Sequence, residues 1–423
     1  MRLKILLIGC CIVSGILFFP GKSFAEDLSK EILKLKQRIS VLEQKLNKQE
    51  EKITEQQELD ESLNEIKEIF KGISVGAGAT FIMQGTHNAN GDSLSKNGED
   101  VTDTSYSVDL EIEKEFSDYG KAYLHFEGGN GNGVTDELQV FSNVNADATG
   151  DENFDLIEAW YEQYFKSIPL TITFGKLDAT CYIDVNEYAN DETAQFLGDG
   201  FKNSPVLEFP DDNGPGIRFN LESFESLGIE MVVMDAKGDW EDFFDNVFFA
   251  AQINFKPDLF EKPGNYRIYG WLNDKNHIEW SNATKSKEKG YGFGLSFDQE
   301  LTDNLGVFAR YGWQNPKVYA EGASFSLEQS WSIGIQLAGA LWRRADDIFA
   351  VAFGQAIPSD DYKKANALKA KSESHLEAYY NFKINQHLSV SPDIQVIWNP
   401  YGGDATNGDK TIVVVGLRAQ VDF

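Results

Sequence analysis

The chain closes on Thr411 to Phe423, TIVVVGLRAQVDF, and this stretch constrains the fold more than any other. Side chains of an extended chain alternate, so Val413, Val415, Leu417, Ala419, Val421 and Phe423 share one face. Val414, Gly416, Arg418, Gln420 and Asp422 share the other. One face is wholly apolar, while the opposite one carries an arginine and an aspartate. A wall between lipid and water requires that division, and a strand of a transmembrane β-barrel supplies it.

The start of the chain sets the compartment. Arg2 and Lys4 precede an apolar run from Ile5 to Phe19, and Ser23-Phe24-Ala25 offers a small-residue cleavage site before Glu26. Residues 1–25 are therefore expected to be a secretory signal; fifteen apolar residues are too few to span a bilayer comfortably. Removing them takes away Arg2, Lys4 and Lys22, leaving 35 basic against 67 acidic residues, a net charge of −32. With no basic cluster to neutralise phosphates, nucleic-acid binding is excluded. Cys181 is then the sole cysteine, so neither an internal disulfide nor a cysteine metal site is possible. No run of 18 apolar residues follows the signal, which rules out a helical membrane protein but not a barrel, whose strands average out to polar.

Residues 27–71 are dense in Glu, Lys, Gln and Leu and free of Gly and Pro. Leu28, Ile32, Leu35, Ile39, Leu42, Leu46 and Ile53 form a heptad seam, which slips near Gln56 and resumes at Leu59, Leu63, Ile66 and Phe70. The pattern predicts a coiled-coil stalk of about 65 Å, with a single surface helix as the alternative. Arg38-Ile39-Ser40-Val41-Leu42-Glu43 resembles a trimer-specifying motif of short coiled coils, so self-association as a trimer is favoured over a dimer.

From Gly72 the period becomes two. Sixteen strands are predicted, at about 73–85, 105–116, 121–128, 154–165, 170–177, 216–222, 227–235, 246–256, 265–273, 290–298, 305–314, 329–339, 347–356, 374–384, 388–398 and 411–423. Every second connection is short, such as 117–120, 166–169, 299–304 and 385–387. The intervening ones are longer, such as 87–103, 129–153, 178–214, 274–289, 357–373 and 399–410. Short turns alternating with long loops, on an even strand count, match the two sides of an outer-membrane barrel. The expected fold is all-β: a 16-stranded antiparallel transmembrane β-barrel over 72–423, preceded by an α-helical coiled coil in the periplasm. A soluble β-sandwich shares the periodicity; the signal, the terminal Phe423 and the alternating connections argue for the barrel.

With apolar faces toward lipid, Arg218, Arg267, Arg310 and Arg418 point inward, since an arginine in lipid at the midplane costs about 2–4 kcal/mol. Glu111, Glu113 and Glu158 share that side, as do Trp160, Tyr269 and Trp271. Opposed acidic and basic rows would orient polar solutes in the lumen. Aromatic faces beside charged groups suit pyranose rings. A plugged barrel whose interior charges satisfy one another is the alternative. The connection 178–214 is too long and too aromatic to hang free in water, so it is expected to fold into the pore and narrow it.

At that connection the chain resembles a known family. ITFGKLDATCYIDVNEYANDETAQFL, residues 172–197, resembles the segment of the carbohydrate-selective (OprB-type) porin family that runs from a strand into its constricting loop. Ala340 to Ile348, ALWRRADDI, resembles that family's Trp-Arg-rich turn, and Glu373 to Gly403, carrying SPDIQVIWNPYGG, its penultimate hairpin. The resemblance implies a sixteen-stranded porin passing mono- and small oligosaccharides. It also implies that Asp184, Asn186, Asn190, Asp191, Glu192 and Gln195 shape the narrow region. The stalk departs from many members. The C-terminal strand resembles the signal, ending in Phe, that outer-membrane barrels present to their assembly machinery.

The expected activity is thus a passive, substrate-selective channel for small saccharides, working without a cofactor in contact with outer-membrane lipid. Alternatives are a porin for small anions or metal chelates, and a stalked barrel tethering the membrane to the cell wall. An enzyme is not expected: His87, His125, His277, His375 and His387 lie in no nucleophile motif. The acidic loops 90–103 and 404–409 and Asp211-Asp212 lack the fixed spacing of a Ca²⁺ site, so no metal is expected.

Overall fold

The computed structural model describes residues 22–91, 99–150, 152–224, 226–259, 261–405 and 409–423. It divides into two compact units, one ending at Lys71 and the other running from Gly72 to Phe423. Most of the expected signal, and parts of the acidic loops 90–103 and 404–409, lie outside the described residues.

In the first unit, Lys22–Phe70 is one α-helix (α1) of 49 residues. Lacking Gly and Pro within 27–70, it runs unbroken through the slip near Gln56. The seam residues Leu28, Leu35, Leu42 and Leu59 are all exposed. An exposed seam leaves the stabilisation of so long a helix to tertiary or intermolecular packing.

The second unit is a closed sheet. Its first wall strands are β1 (Ile73–His87), β2 (Thr102–Glu115), β3 (Gly120–Asn130), β4 (Phe154–Phe165) and β5 (Leu170–Leu177). Then come β6 (Gly214–Phe224), β7 (Leu227–Asp235), β8 (Val247–Phe255), β9 (Lys262–Glu279), β10 (Glu288–Thr302) and β11 (Leu305–Gln314). The wall ends with β12 (Leu327–Ala338), β13 (Ile348–Pro358), β14 (Glu373–Lys383), β15 (Leu388–Trp398) and β16 (Ile412–Asp422). Among the described residues these sixteen strands are joined by two short segments, Asp258–Leu259 and Val318–Ala320, both pairing with β9. All pairings are antiparallel, and β1 pairs both with β2, from Ile73 opposite Lys114, and with β16, from Gly78 opposite Asp422. The ring is thereby closed, and the expected 16-stranded barrel is the fold.

Strands β4, β5, β7, β11 and β15 coincide with their expected ranges. The largest difference is β9, expected at 265–273 and found at Lys262–Glu279. Its register shifts between Asn273 and His277, and the extension pairs with Val318–Ala320. Residues 274–279, DKNHIE, carry no apolar alternation, so the sequence signal stops before the ladder does.

Alternation decides sidedness as expected. On β16, Val415 is 55% and Leu417 41% exposed, whereas Arg418 is 1% exposed. Phe81, Tyr106, Phe174, Ile253, Ile268, Phe293 and Ile333 are likewise exposed on the outward face. The apolar core lies inside the ring, where inward side chains meet the connections. Val134, Leu138 and Val144 pack on Ile397, Ile412 and Val414. Phe196 and Phe201 pack on Phe308, Ala350, Ala352 and Tyr379, and Ile183 and Leu207 on Val232, Met234, Phe248, Tyr269 and Trp271. Two connections, 131–153 and 178–213, therefore fold inward, one more than the sequence led us to expect. At the Trp-Arg turn, Gly339 is required because a Cβ there would lie 1.9 Å from the Arg344 carbonyl oxygen.

Candidate functional site

The inward arginines decide where the long connection sits. Arg310, on β11, donates to the carbonyl oxygens of Phe201 and Asp184, and its Nε lies 3.3 Å from Asp184 Oδ1. Arg418, on β16, donates to the carbonyl oxygens of Glu192 at 2.7 Å and Gln195 at 2.8 Å. From β14, Glu377 accepts the backbone N–H groups of Leu197 at 2.6 Å and Gly198 at 2.9 Å. Gln252, on β8, accepts from the Asp184 N–H at 3.0 Å. A segment entering a barrel carries backbone groups that water no longer serves, and these side chains serve them instead. Hydrogen bonds to charged groups contribute about 1.5–3 kcal/mol each.

The second inward connection is held in the same way. Phe141 and Ser142 donate their N–H groups to Glu373 on β14. Gln84 and Gln395 both donate to the Val144 carbonyl oxygen, at 3.0 and 2.8 Å. The two connections also bond to each other, through Ala146 N–H to the Leu197 oxygen at 2.8 Å and Asp199 N–H to the Asn143 oxygen at 3.1 Å.

A cavity of about 1160 Å³ lies between the third long connection and the inner faces of β1 to β5. Its lining extends from Asp422 and Phe423, beside Gly78, to Gly238 and Trp240 at the opposite ends of the strands. Asp109, Glu111, His125, Glu127, Asp155 and Glu158 supply the wall side. Asp178, Asn190, Asp191, Glu192 and Lys202 supply the loop side. Twelve Asp and Glu side chains line it, the buried Asp147 among them, against Lys176, Lys202 and His125.

The expected site residues separate into two groups. Glu111, Glu158, Asn190, Asp191 and Glu192 line the cavity. Asp184, Asn186 and Gln195 instead build the loop. Asp184 accepts from Ser204 N–H at 2.7 Å, Asn186 donates to Ser296 Oγ and the Phe297 oxygen, and Gln195 accepts from Asn190 N–H. None of Arg218, Arg267, Arg310 and Arg418 is among the lining residues. Arg218 is held by Glu162 at 2.8 Å and by Glu230, and Arg267 by Asp298. The opposed basic row anticipated from parity is thus absent from the cavity wall, because each guanidinium is taken by a carboxylate or by loop carbonyls. Glu113 pairs with Lys121 at 2.9 Å. Trp160 stacks on Tyr123 at 4.9 Å and donates to Glu158. Tyr269 and Trp271 pack on Ile183 and Leu207. Tyr269 lies across Gly294, where a Cβ would sit 2.2 Å from its hydroxyl oxygen.

Two groups were not assigned to the site from the sequence, although His125 was read there as facing the lumen beside Glu127. His125 lies 2.9 Å from Asp109 and 3.7 Å from Glu158, and Asp147, from the second inward connection, accepts from the Ser107 hydroxyl at 3.0 Å. The apolar Val134, Leu138, Phe141 and Val144 of that connection were the available signal. Burial pushes the Asp147 carboxyl up to about 8 and that of Asp199 up to about 6. Burial alone would lower the Lys202 ammonium, but Glu192, 2.5 Å away, outweighs it and holds it above its usual range. Among the described residues no group of three or more His, Cys, Asp or Glu is arranged to hold a metal ion.

The family model for carbohydrate-selective porins, OprB family, matches residues 97–423. The high-pH structure of Pseudomonas putida OprB superimposes with a TM-score of 0.72 at 16% identity, covering 86% of this chain and 97% of that one. The low-pH structure of the same protein gives 0.51 at 14% identity, with the same coverage. An anion-selective porin from Comamonas acidovorans gives 0.53 at 10% identity, covering 83% of this chain and 99% of that one. An uncharacterised protein of Aquifex aeolicus is 41% identical over 56 residues, 13% of this chain and 18% of its own length.

The buried carboxyls generate a pH dependence. A group whose folded pKa lies above its unfolded value of 3.8 stabilises the fold while protonated. That stability is fully present below about pH 4 and is lost as pH rises, through 6 for Asp199 and 8 for Asp147. Thermal unfolding followed by circular dichroism should therefore show stability falling between about pH 4 and 8. The fall should be shallower in Asp147→Asn, which stays neutral; identical slopes would contradict the assignment.

Proposed function

The chain belongs to the carbohydrate-selective porin family, OprB, and from that premise we propose that this outer-membrane channel passes small saccharides through a lumen narrowed by residues 178–214. Porins are passive channels and not enzymes. The observation that carries the reading is the cavity, with strand side chains on one side and Asn190, Asp191 and Glu192 on the other. A sugar crossing it meets hydroxyl partners on both sides, in a space wide enough that no single contact need trap it. Selective passage requires sites favourable enough to enter and shallow enough to leave. No cofactor takes part.

The alternative cargo, small anions or metal chelates carrying negative charge, drew on the inward arginines. With all four withdrawn from the lining, that alternative loses its support. The constriction is tested by deleting residues 186–203 and recording single-channel conductance in planar bilayers. Conductance should rise, and glucose-driven swelling of liposomes should lose its size cut-off; unchanged conductance would remove the loop from that role.

The remaining assignments belong to the same proposal. Residues 1–25 act as the secretory signal, 72–423 as the porin, and Phe423 as the group that the assembly machinery reads. Residues 27–71 act as a periplasmic stalk through which copies associate, most simply as a trimer, and which can also tether the membrane to the cell wall. The exposed seam from Leu28 to Phe70 supports this, because an isolated amphipathic helix gains its stability by burying such a stripe. Sedimentation of the detergent-solubilised full chain should give a trimer, and the chain lacking 27–71 a smaller species. The same mass per particle for both would contradict association through the stalk.

A further inference from the structure

The lumen carries an electrostatic sign that the saccharide reading does not require. We propose that the conducting route is cation-selective and that, among saccharides of one size, it favours cationic over anionic ones. This rests on the channel reading above and names the class of charged cargo.

Two independent features of the fold point the same way. The first is the lining itself. Carboxylates occupy both sides of the cavity, with Glu111 and Glu127 on the wall and Asp178 and Asp191 on the connection facing it. An anion passing between them finds no side of lower repulsion.

The second is the disposal of positive charge. Lys202 is 2.5 Å from Glu192, and Lys176 donates to the Leu156 carbonyl oxygen at 2.7 Å. The four inward arginines lie away from the lining. Arg310 and Arg418 are spent on loop carbonyls, and Arg218 and Arg267 on carboxylates. The architecture that draws the loop inward is thus the one that removes basic groups from the route. Had Arg418 been left free on its inward face, the two signs would have opposed each other across the pore. Instead the lining is predominantly acidic along the cavity, and the field we infer there is negative.

Such a field, confined between low-dielectric walls, enriches counter-ions by about tenfold or more. Rings of carboxylates are the usual device of cation-selective pores. Screening over about 8 Å at physiological salt weakens the field between distant groups but not at close approach to the wall. A saccharide bearing an ammonium group gains from that enrichment, whereas one bearing a carboxylate pays to enter.

The test uses full-length protein in planar bilayers under a KCl gradient. The zero-current potential should have the sign of K⁺ permeation, with K⁺ about tenfold more permeant than Cl⁻. In liposome swelling, glucosamine should enter faster than glucose, and glucuronate slowest, although the three are nearly equal in size. The double variant Glu111→Gln, Asp191→Asn should bring the K⁺ to Cl⁻ ratio measurably toward equality. Conductance with Cl⁻ equal to or favoured over K⁺, or glucuronate entering as fast as glucosamine, would overturn this inference and leave the channel reading standing. A complete absence of conductance and swelling would overturn both. If the double variant forms no channels, the wild-type potential and the sugar ranking decide alone.

Discussion

The closing ladder between β1 and β16 is the constraint on which the rest of the structure depends. Hydrocarbon offers no partner to a backbone N–H or carbonyl, so a sheet in lipid must pair every strand on both edges. Gly78 opposite Asp422 through His87 opposite Val413 accomplishes this at the seam. Once the ring is closed, parity has only two destinations. Val415 and Leu417 go to lipid and Arg418 goes inward, and the same division propagates through every neighbour by register.

Closure creates a second problem, which the inward side chains solve. A ring of sixteen strands is too wide to be filled by its own side chains. Two connections fill part of it, and they bring backbone groups that need partners. Arg310, Arg418, Glu373 and Glu377 meet that need with charged hydrogen bonds to specific carbonyls and N–H groups. Aromatic contacts such as Phe196 against Tyr379, centroids 5.0 Å apart, add apolar burial to the same junction. Charged side chains are therefore engaged beneath the loops, while the lining of the cavity is left predominantly acidic. The permeation route inherits that asymmetry.

Much of the fold was legible because period-two alternation is a strong signal in strands that separate lipid from water. Phe154–Phe165 and Leu388–Trp398 were read to the residue. Lys262–Glu279 was cut short because its last six residues, DKNHIE, lose the pattern. The inward direction of Arg218, Arg267, Arg310 and Arg418 was legible, but their destinations were not. Parity fixes the side a residue faces, whereas its partner depends on how loops distant in sequence pack. The inward folding of 178–213 followed from its length and apolar content. The same reasoning applied to Val134, Leu138, Phe141 and Val144 would have found the second inward connection. Asp184 and Asn186 stood out by resemblance as shaping residues, and they do shape the loop, but by holding it and not by lining the cavity.

The measurement that bears most directly on this account is accessibility across the wall. In a Cys181→Ser background, which removes the native thiol, single substitutions Val415→Cys, Leu417→Cys, Glu111→Cys and Gln420→Cys would be probed in reconstituted membranes. A hydrophilic thiol reagent should modify the second pair and spare the first, and a lipid-dissolved reagent should do the reverse. Water-phase modification at 415 and 417 with lipid-phase modification at 111 and 420 would contradict the barrel and everything built on it.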